Sequence, residues 1–227
     1  MKIRTLHYLE GAREASGTAV VIDVFRAFST ACYIAAKGAE RIIVTEHAEE
    51  AYAYKQKHPE YLLAGERGGF TLEGFDFGNS PSAAEQRDFT GSTVVLTTSA
   101  GTKGLAEAAR HADAVITGSF VNALAAAQWI LKRDPHEVSL VCMGWNGREP
   151  ADEDVLYARY LEGLLTGNPL PFESMKEFLR HHSKTSSFRT VLDPDSLPEG
   201  DFDLCLDLDR FPFVLQFTDG CLIPFHP

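Results

Sequence analysis

Short apolar runs recur along the chain, and each one hands over to a group of polar residues. Val20-Val21-Ile22 leads into Asp23 and Arg26, Tyr61-Leu62-Leu63-Ala64 into Gly65-Glu66-Arg67-Gly68-Gly69, and Val94-Val95-Leu96 into Thr97-Thr98 and Gly101-Thr102. Val115-Ile116-Thr117 precedes Gly118-Ser119 and Asn122, and the run from Val138 to Val141 precedes a glycine-bearing stretch that ends at Glu153-Asp154. Such β-branched runs alternate with alanine-rich stretches. This is the pattern of a mostly parallel α/β sheet, in which ligands bind beyond the carboxyl ends of the strands. Reactive residues gather at these ends instead of scattering over both ends of the sheet, so the pattern predicts one active site.

The same pattern orders the elements. Lys2 to Leu6 reads as an edge strand, and the first core strand begins at Ala19. A helix from Ser29 to Lys37 stops at Gly38 before a strand from Arg41 to Thr45, which makes one βαβ unit. A second unit runs from Val94 to Leu96, through a helix from Lys103 to Arg110, to a strand from Ala114 to Thr117. Further helices are predicted over Ala48 to His58, Val121 to Leu131 and Asp152 to Leu165, the last stopped by Gly167-Asn168-Pro169. From Leu170 the character changes: alanine disappears, Phe and Pro rise, and Asp219-Gly220 lies between Phe213 to Phe217 and Cys221 to Phe225 as a hairpin turn would. The expectation is an α/β core with a mostly parallel sheet over 1–169 and a hairpin-containing cap over 170–227, packed as one structural domain.

Composition narrows the function. The formal net charge of -11, from 32 acidic and 21 basic residues, and the lack of a basic run argue against a nucleic-acid surface. An anionic ligand must then be held by a few residues inside a cleft. Cys32, Cys142, Cys205 and Cys221 form no CxxC pair, so neither a zinc site nor a disulfide framework is suggested, and Cys142 reads as a buried small hydrophobe. His181-His182, beside Arg180 and Lys184, reads as a solvated face. With no signal-like start and no apolar run near about 18 residues, the expectation is a cytoplasmic protein without membrane contact.

Asp23 at the end of a buried strand needs a partner: a metal, Arg26, or a reacting group. Phosphatases with an aspartyl nucleophile carry a second Asp two residues on, where this chain has Phe25. Thr97 to Thr102 places hydroxyls and a glycine in a strand-to-helix turn, where free N–H groups and the helix dipole attract anions, although Ser, Thr and Gly are also ordinary turn residues. Ser119 and Asn122 repeat that chemistry, and two adjacent anion sites suit a doubly acidic ligand. Glu66-Arg67 between glycines offers a base or metal ligand and an oxyanion clamp. Gly74 to Pro81, with Asn79, is either a wall of the site or an ordered surface turn. Glu153 and Asp154 open a helix, where the dipole alone favours acids, but the preceding Gly144 and Gly147 point to a hard-cation site.

Taken together, these residues resemble the 2-phosphosulfolactate phosphatase family. The likeness rests on Asp23 to Thr30, Glu66-Arg67-Gly68-Gly69, Gly74-Phe75-Asp76 with Gly78-Asn79-Ser80-Pro81, Thr97-Thr98 with Gly101-Thr102, Gly118-Ser119-Phe120 with Asn122, and Gly147 with Glu153-Asp154. Beyond about residue 170 it is confined to Asp203 to Asp207 and the final hairpin. The resemblance implies a three-layer α/β/α fold and Mg2+-dependent hydrolysis of the phosphate monoester of a sulfonated, carboxylated three-carbon acid, on a route toward coenzyme M or sulfolactate. On this reading Asp23, Glu153 and Asp154 bind the metal, and Asp23 or Glu66 helps the nucleophile. Arg26, Thr97, Thr98, Gly101, Thr102, Ser119 and Asn122 hold the phosphoryl group, Asn79 contributes to substrate binding, and Arg67 clamps a carboxylate or sulfonate. The partner is a small phosphorylated acid, and a homo-oligomer stays open. The rival readings are a non-catalytic sensor of a phosphorylated acid and a phosphatase for another hydroxy acid.

Overall fold

The computed structural model describes residues 1–183 and 199–227. Lys184, and with it part of the expected cap, lies outside the described residues. The strands are β1 (Lys2–His7), β2 (Thr18–Ile22), β3 (Arg41–Val44), β4 (Leu62–Arg67), β5 (Phe70–Thr71), β6 (Thr93–Thr97), β7 (Ala114–Gly118), β8 (Glu137–Cys142), β9 (Val214–Thr218) and β10 (Cys221–Phe225). Among the described residues the α-helices are α1 (Tyr8–Arg13), α2 (Ala27–Ala36), α3 (Ala48–Lys57), α4 (Pro81–Glu85), α5 (Gly101–Ala108), α6 (Ala123–Arg133), α7 (Asp152–Thr166), α8 (Phe172–His181) and α9 (Glu199–Cys205). The apolar pattern anticipates the longer strands and core helices, but not β5, α1, α4, α8 or α9.

The ten strands of the described residues join one sheet in the order β1-β8-β2-β7-β9-β10-β3-β6-β4-β5. Two parallel blocks, β1-β8-β2-β7 and β3-β6-β4, are linked by the antiparallel β9-β10 hairpin, and β5 adds an antiparallel edge. The fold is thus α/β with a mostly parallel sheet. The hairpin expected in the cap lies in the middle of that sheet instead. It turns through Asp219 (φ 51) and Gly220 (φ 76), the left-handed pair that a tight two-residue hairpin needs. Val214 and Leu215 on β9 and Leu222 on β10 are buried, so the hairpin supplies core rather than cover.

Period two along β2 shows how the layers form. Every residue of this strand is buried, as expected of a strand covered on both faces. Val21 packs in the cluster that holds Phe28 of α2 and Leu105 of α5. Val20 and Ile22 pack with Trp129 of α6 and with Tyr157 and Leu161 of α7. Helix α5 follows β6 of the second block yet packs on β2 of the first, while α2 follows β2 and packs on β3. Gly104 permits the close approach, since a Cβ there would stand 2.3 Å from Met143 Sδ and 3.1 Å from Val21 Cγ1. This exchange of helices brings strand ends of both blocks to one place. No helix among the described residues is long and apolar enough to cross a membrane.

Candidate active site

Where β2 ends, the chain delivers Asp23 to the first turns of two helices. Its Oδ1 accepts the Ala27 N–H of α2 at 3.1 Å, and the Gly101 N–H of α5 also bonds the carboxylate. Both helix dipoles favour negative charge here. Burial nevertheless pushes the Asp23 carboxyl well above the ordinary carboxylate range, and the Glu66 charge adds to it, against the amides of Ala27 and Gly101 and the Arg26 charge.

Asp154, in the first turn of α7, holds two strand ends together. Its Oδ1 accepts the Val24 N–H at 3.0 Å and its Oδ2 the Gly144 N–H at 2.8 Å, fastening the end of β2 to the end of β8. Burial raises its carboxyl as well, and the charge of Asp23 is the next cause. Glu153 is buried beside it.

From the other block, Glu66 accepts the Ser99 N–H at 2.6 Å on Oε1, with the Ser99 hydroxyl at 2.9 Å and the Gly69 N–H at 2.8 Å on Oε2. Gly68 N–H in turn donates to Ser99 Oγ at 2.9 Å. Ser99 is therefore the pivot of this corner, and it lies inside the turn the sequence singles out although attention there falls on its threonines. Those threonines mostly build the turn. Thr97 Oγ1 donates to the Thr45 carbonyl at 3.0 Å, while Thr98 and Thr102 exchange N–H to hydroxyl bonds of 3.0 and 3.2 Å. Arg67 reaches Thr97 Oγ1 at 2.8 Å and the Glu66 and Glu46 carbonyls at 2.8 and 3.3 Å.

Arg26 lies just beyond Asp23, and its Nη1 donates to Asp201 Oδ2 at 2.6 Å. Asp201 comes from α9, in the region where the sequence offers no catalytic motif. Its Oδ1 accepts the Ser80 hydroxyl at 2.8 Å and the Ser82 N–H at 2.9 Å, so the Gly74 to Pro81 loop is tied to the same carboxylate. Asn79 in that loop is buried, and its Oδ1 has no hydrogen-bond partner among the described residues. The loop is thus a wall beside Arg26.

Ser119 and Asn122 follow β7, whose end lies beside that of β2: the Asp23 N–H donates to the Gly118 carbonyl at 3.4 Å. Ser119 and Asn122 are both 0% exposed. Ser119 Oγ donates to Asn122 Oδ1 at 3.3 Å, and Asn122 Nδ2 donates to the Phe213 carbonyl at 3.0 Å, anchoring the approach to β9. The end of β7 thus adjoins Asp23 while the Ser119 and Asn122 side chains are engaged inside the protein, and the ends of β2, β4 and β6 and the α7 start beyond β8 converge on the same place. The cysteines are free thiols; burial pushes Cys142 far above the ordinary thiol range, with the charge of Asp154 as the second cause. His181 and His182 are exposed.

This arrangement can hold an anion between Arg26 and backbone amides, beside carboxylates able to carry a proton. The family model for 2-phosphosulpholactate phosphatase matches residues 5–220. A protein of Deinococcus radiodurans named probable 2-phosphosulfolactate phosphatase is 42% identical over 135 residues, which cover 60% of this chain and 56% of that protein's length. Relatives with the same name are 39% identical over 175 residues in Caldicellulosiruptor saccharolyticus, covering 74% of this chain and 72% of the relative, and 34% over 215 residues in Thermotoga petrophila, covering 91% of each. The chain belongs to the 2-phosphosulpholactate phosphatase family, a family of phosphoric monoester hydrolases.

Proposed function

We propose that the protein hydrolyses the phosphate monoester of a small acidic metabolite, 2-phosphosulfolactate, to sulfolactate and phosphate, with Mg2+ as cofactor. The observation that carries the reading is the meeting, in one buried place, of Asp23 and Arg26 from the end of β2, Glu66 from the end of β4 and Asp154 from the start of α7. A chain of formal net charge -11 gains nothing from collecting carboxylates around an anion unless positive charge stands between them.

Arg26 would hold the phosphoryl oxygens and the charge that develops on them. Asp23 is the carboxylate suited to proton transfer. It is the most accessible of the four, at 9% exposed, and both oxygens of Glu66 are already committed to Ser99 and Gly69. As water attacks phosphorus and the bond between phosphorus and the leaving oxygen breaks, Asp23 takes the water proton and passes it to the leaving alkoxide, returning to its ionised form. Glu66 keeps the Ser99 turn and the glycines in place. Arg67, between those glycines, would meet the carboxylate or sulfonate of the leaving acid.

Among the described residues no three His, Cys, Asp or Glu side chains form a ready metal cluster. Asp23 and Asp154 are nonetheless buried carboxylates that repel each other. Mg2+ takes one or two carboxylates and completes its shell with water and phosphate oxygens, so these residues fit it. Asp23 and Asp154, with Glu153 in the same helical turn, would hold the ion. When bound it supplies the charge that offsets the acids and polarises the phosphoryl oxygens.

A screen of purified protein against phosphorylated hydroxy acids, with and without Mg2+, tests the proposal. The expected result is the highest kcat/KM on 2-phosphosulfolactate. Tight binding of phosphorylated acids with no phosphate release would make the protein a sensor instead.

A further inference from the structure

We propose that Asp201 is the positioning residue of Arg26, so that the C-terminal region completes the site by setting the direction of its phosphoryl-binding guanidinium. The inference rests on the phosphatase reading above and assigns Asp201 a part in it.

The contacts at Asp201 come from three parts of the chain. Arg26 follows β2, Ser80 caps α4 and Ser82 lies in its first turn, and Asp201 itself lies on α9. The carboxylate is 0% exposed and the Arg26 side chain 6%. Oδ2 takes the guanidinium while Oδ1 takes the Ser80 hydroxyl and the Ser82 N–H, so the carboxylate cannot swing without losing several bonds. A buried ion pair of this kind is often no more stabilising than well-packed apolar side chains of the same volume, because both charges leave water. What it does supply is geometry.

The other end of the pair supports this. A guanidinium has five N–H donors in a rigid fork, and among the described residues Asp201 is the only hydrogen-bond partner of the Arg26 side chain. The charge of Arg26 is felt at Asp23, which puts the guanidinium in the neighbourhood of the proposed proton carrier. One edge is thus fixed by Asp201, and the remaining donors are left for an anion. A carboxylate that merely fastened α9 to the core would need no partner at the active site.

The test is a double-mutant cycle on kcat/KM for p-nitrophenyl phosphate and on the Kd for inorganic phosphate by calorimetry. Asp201→Asn keeps an oxygen for Ser80 and Ser82 but removes the charge facing Arg26. It should cost about tenfold or more in both quantities, as losing a charged hydrogen bond does. In an Arg26→Ala background the same change should cost less than about twofold, since a residue acting only through Arg26 has nothing left to position. Equal losses in both backgrounds, or wild-type values in folded Asp201→Asn, would overturn the proposal. Should circular dichroism show Asp201→Asn unfolded, Ser80→Ala serves instead, with a loss of about threefold that vanishes without Arg26; a loss that persists, or none at all, refutes the role. Wild-type protein that hydrolyses no phosphomonoester defeats the phosphatase reading alone, and the phosphate titrations still decide Asp201.

Discussion

Gly101→Ala should disable the site while leaving the fold nearly intact. A Cβ at this position would stand 2.7 Å from Asp23 Oδ2 and 3.1 Å from both Ala27 Cβ and Phe28 Cζ. The backbone has no left-handed φ there, so alanine meets no conformational penalty and the whole effect is steric. Asp23 has little room to withdraw, because Oδ1 is held by Ala27 N–H at 3.1 Å. Overpacking of a filled site costs about 1–3 kcal/mol, and alanine's advantage over glycine in a helix offsets up to about 0.5–1 kcal/mol of it. For a chain of 227 residues the net destabilisation should lower Tm by no more than about 10 °C. A reacting group displaced by a fraction of an ångström to 1 Å loses on the order of 100-fold in rate, so kcat/KM should fall far more than stability. Initial rates on p-nitrophenyl phosphate beside a thermal melt give both numbers. Unchanged kcat/KM in Gly101→Ala would show that the α5 start does not set the position of Asp23, and the reasoning would be wrong.

Asp23→Asn should abolish hydrolysis in a protein whose circular dichroism matches wild type; activity retained in the folded variant removes Asp23 from the chemistry. Combining Glu153→Gln with Asp154→Asn should raise the Mg2+ concentration for half-maximal rate, and an unchanged dependence would make this pair a helix-terminus feature only. Arg67→Ala should lower kcat/KM for 2-phosphosulfolactate by about tenfold while sparing p-nitrophenyl phosphate; parallel losses would place Arg67 on the phosphoryl group. For metal-free protein, the raised carboxyls of Asp23 and Asp154 mean that the folded state binds more protons than the unfolded state above the ordinary carboxylate value of 3.8. Their contribution to stability is present below that value and lost as pH rises through the raised folded values. Melts in EDTA should therefore show Tm falling toward neutral pH, less steeply in Asp23→Asn and with Mg2+ added; a slope indifferent to both would contradict the buried repulsion.

The strands were legible because burial on both faces leaves a continuous apolar run, as in Thr18–Ile22, and Asp23, Glu66 and Asp154 were legible because an acid directly after such a run, or at a helix start, stands out. Partnership was not legible. Asp201 sits among other acids in α9, and its meaning comes only from an arginine 175 positions away. Ser119 and Asn122 read like the Thr98 turn, yet Phe213 and the packing around β7 enclose them, which no local pattern announces. The hairpin was visible in Asp219-Gly220, but its insertion between β7 and β3 depends on long-range pairing. Helix α8 did carry a signal, since Met175 and Leu179 are buried one turn apart, and it was obscured by the polar residues between them.

The most direct measurement is phosphate release from 2-phosphosulfolactate by purified protein in EDTA, followed by addition of excess Mg2+. The account predicts no release in chelator and rapid stoichiometric formation of phosphate and sulfolactate once Mg2+ is present. Full activity in EDTA, or none under either condition while p-nitrophenyl phosphate is turned over, would contradict it.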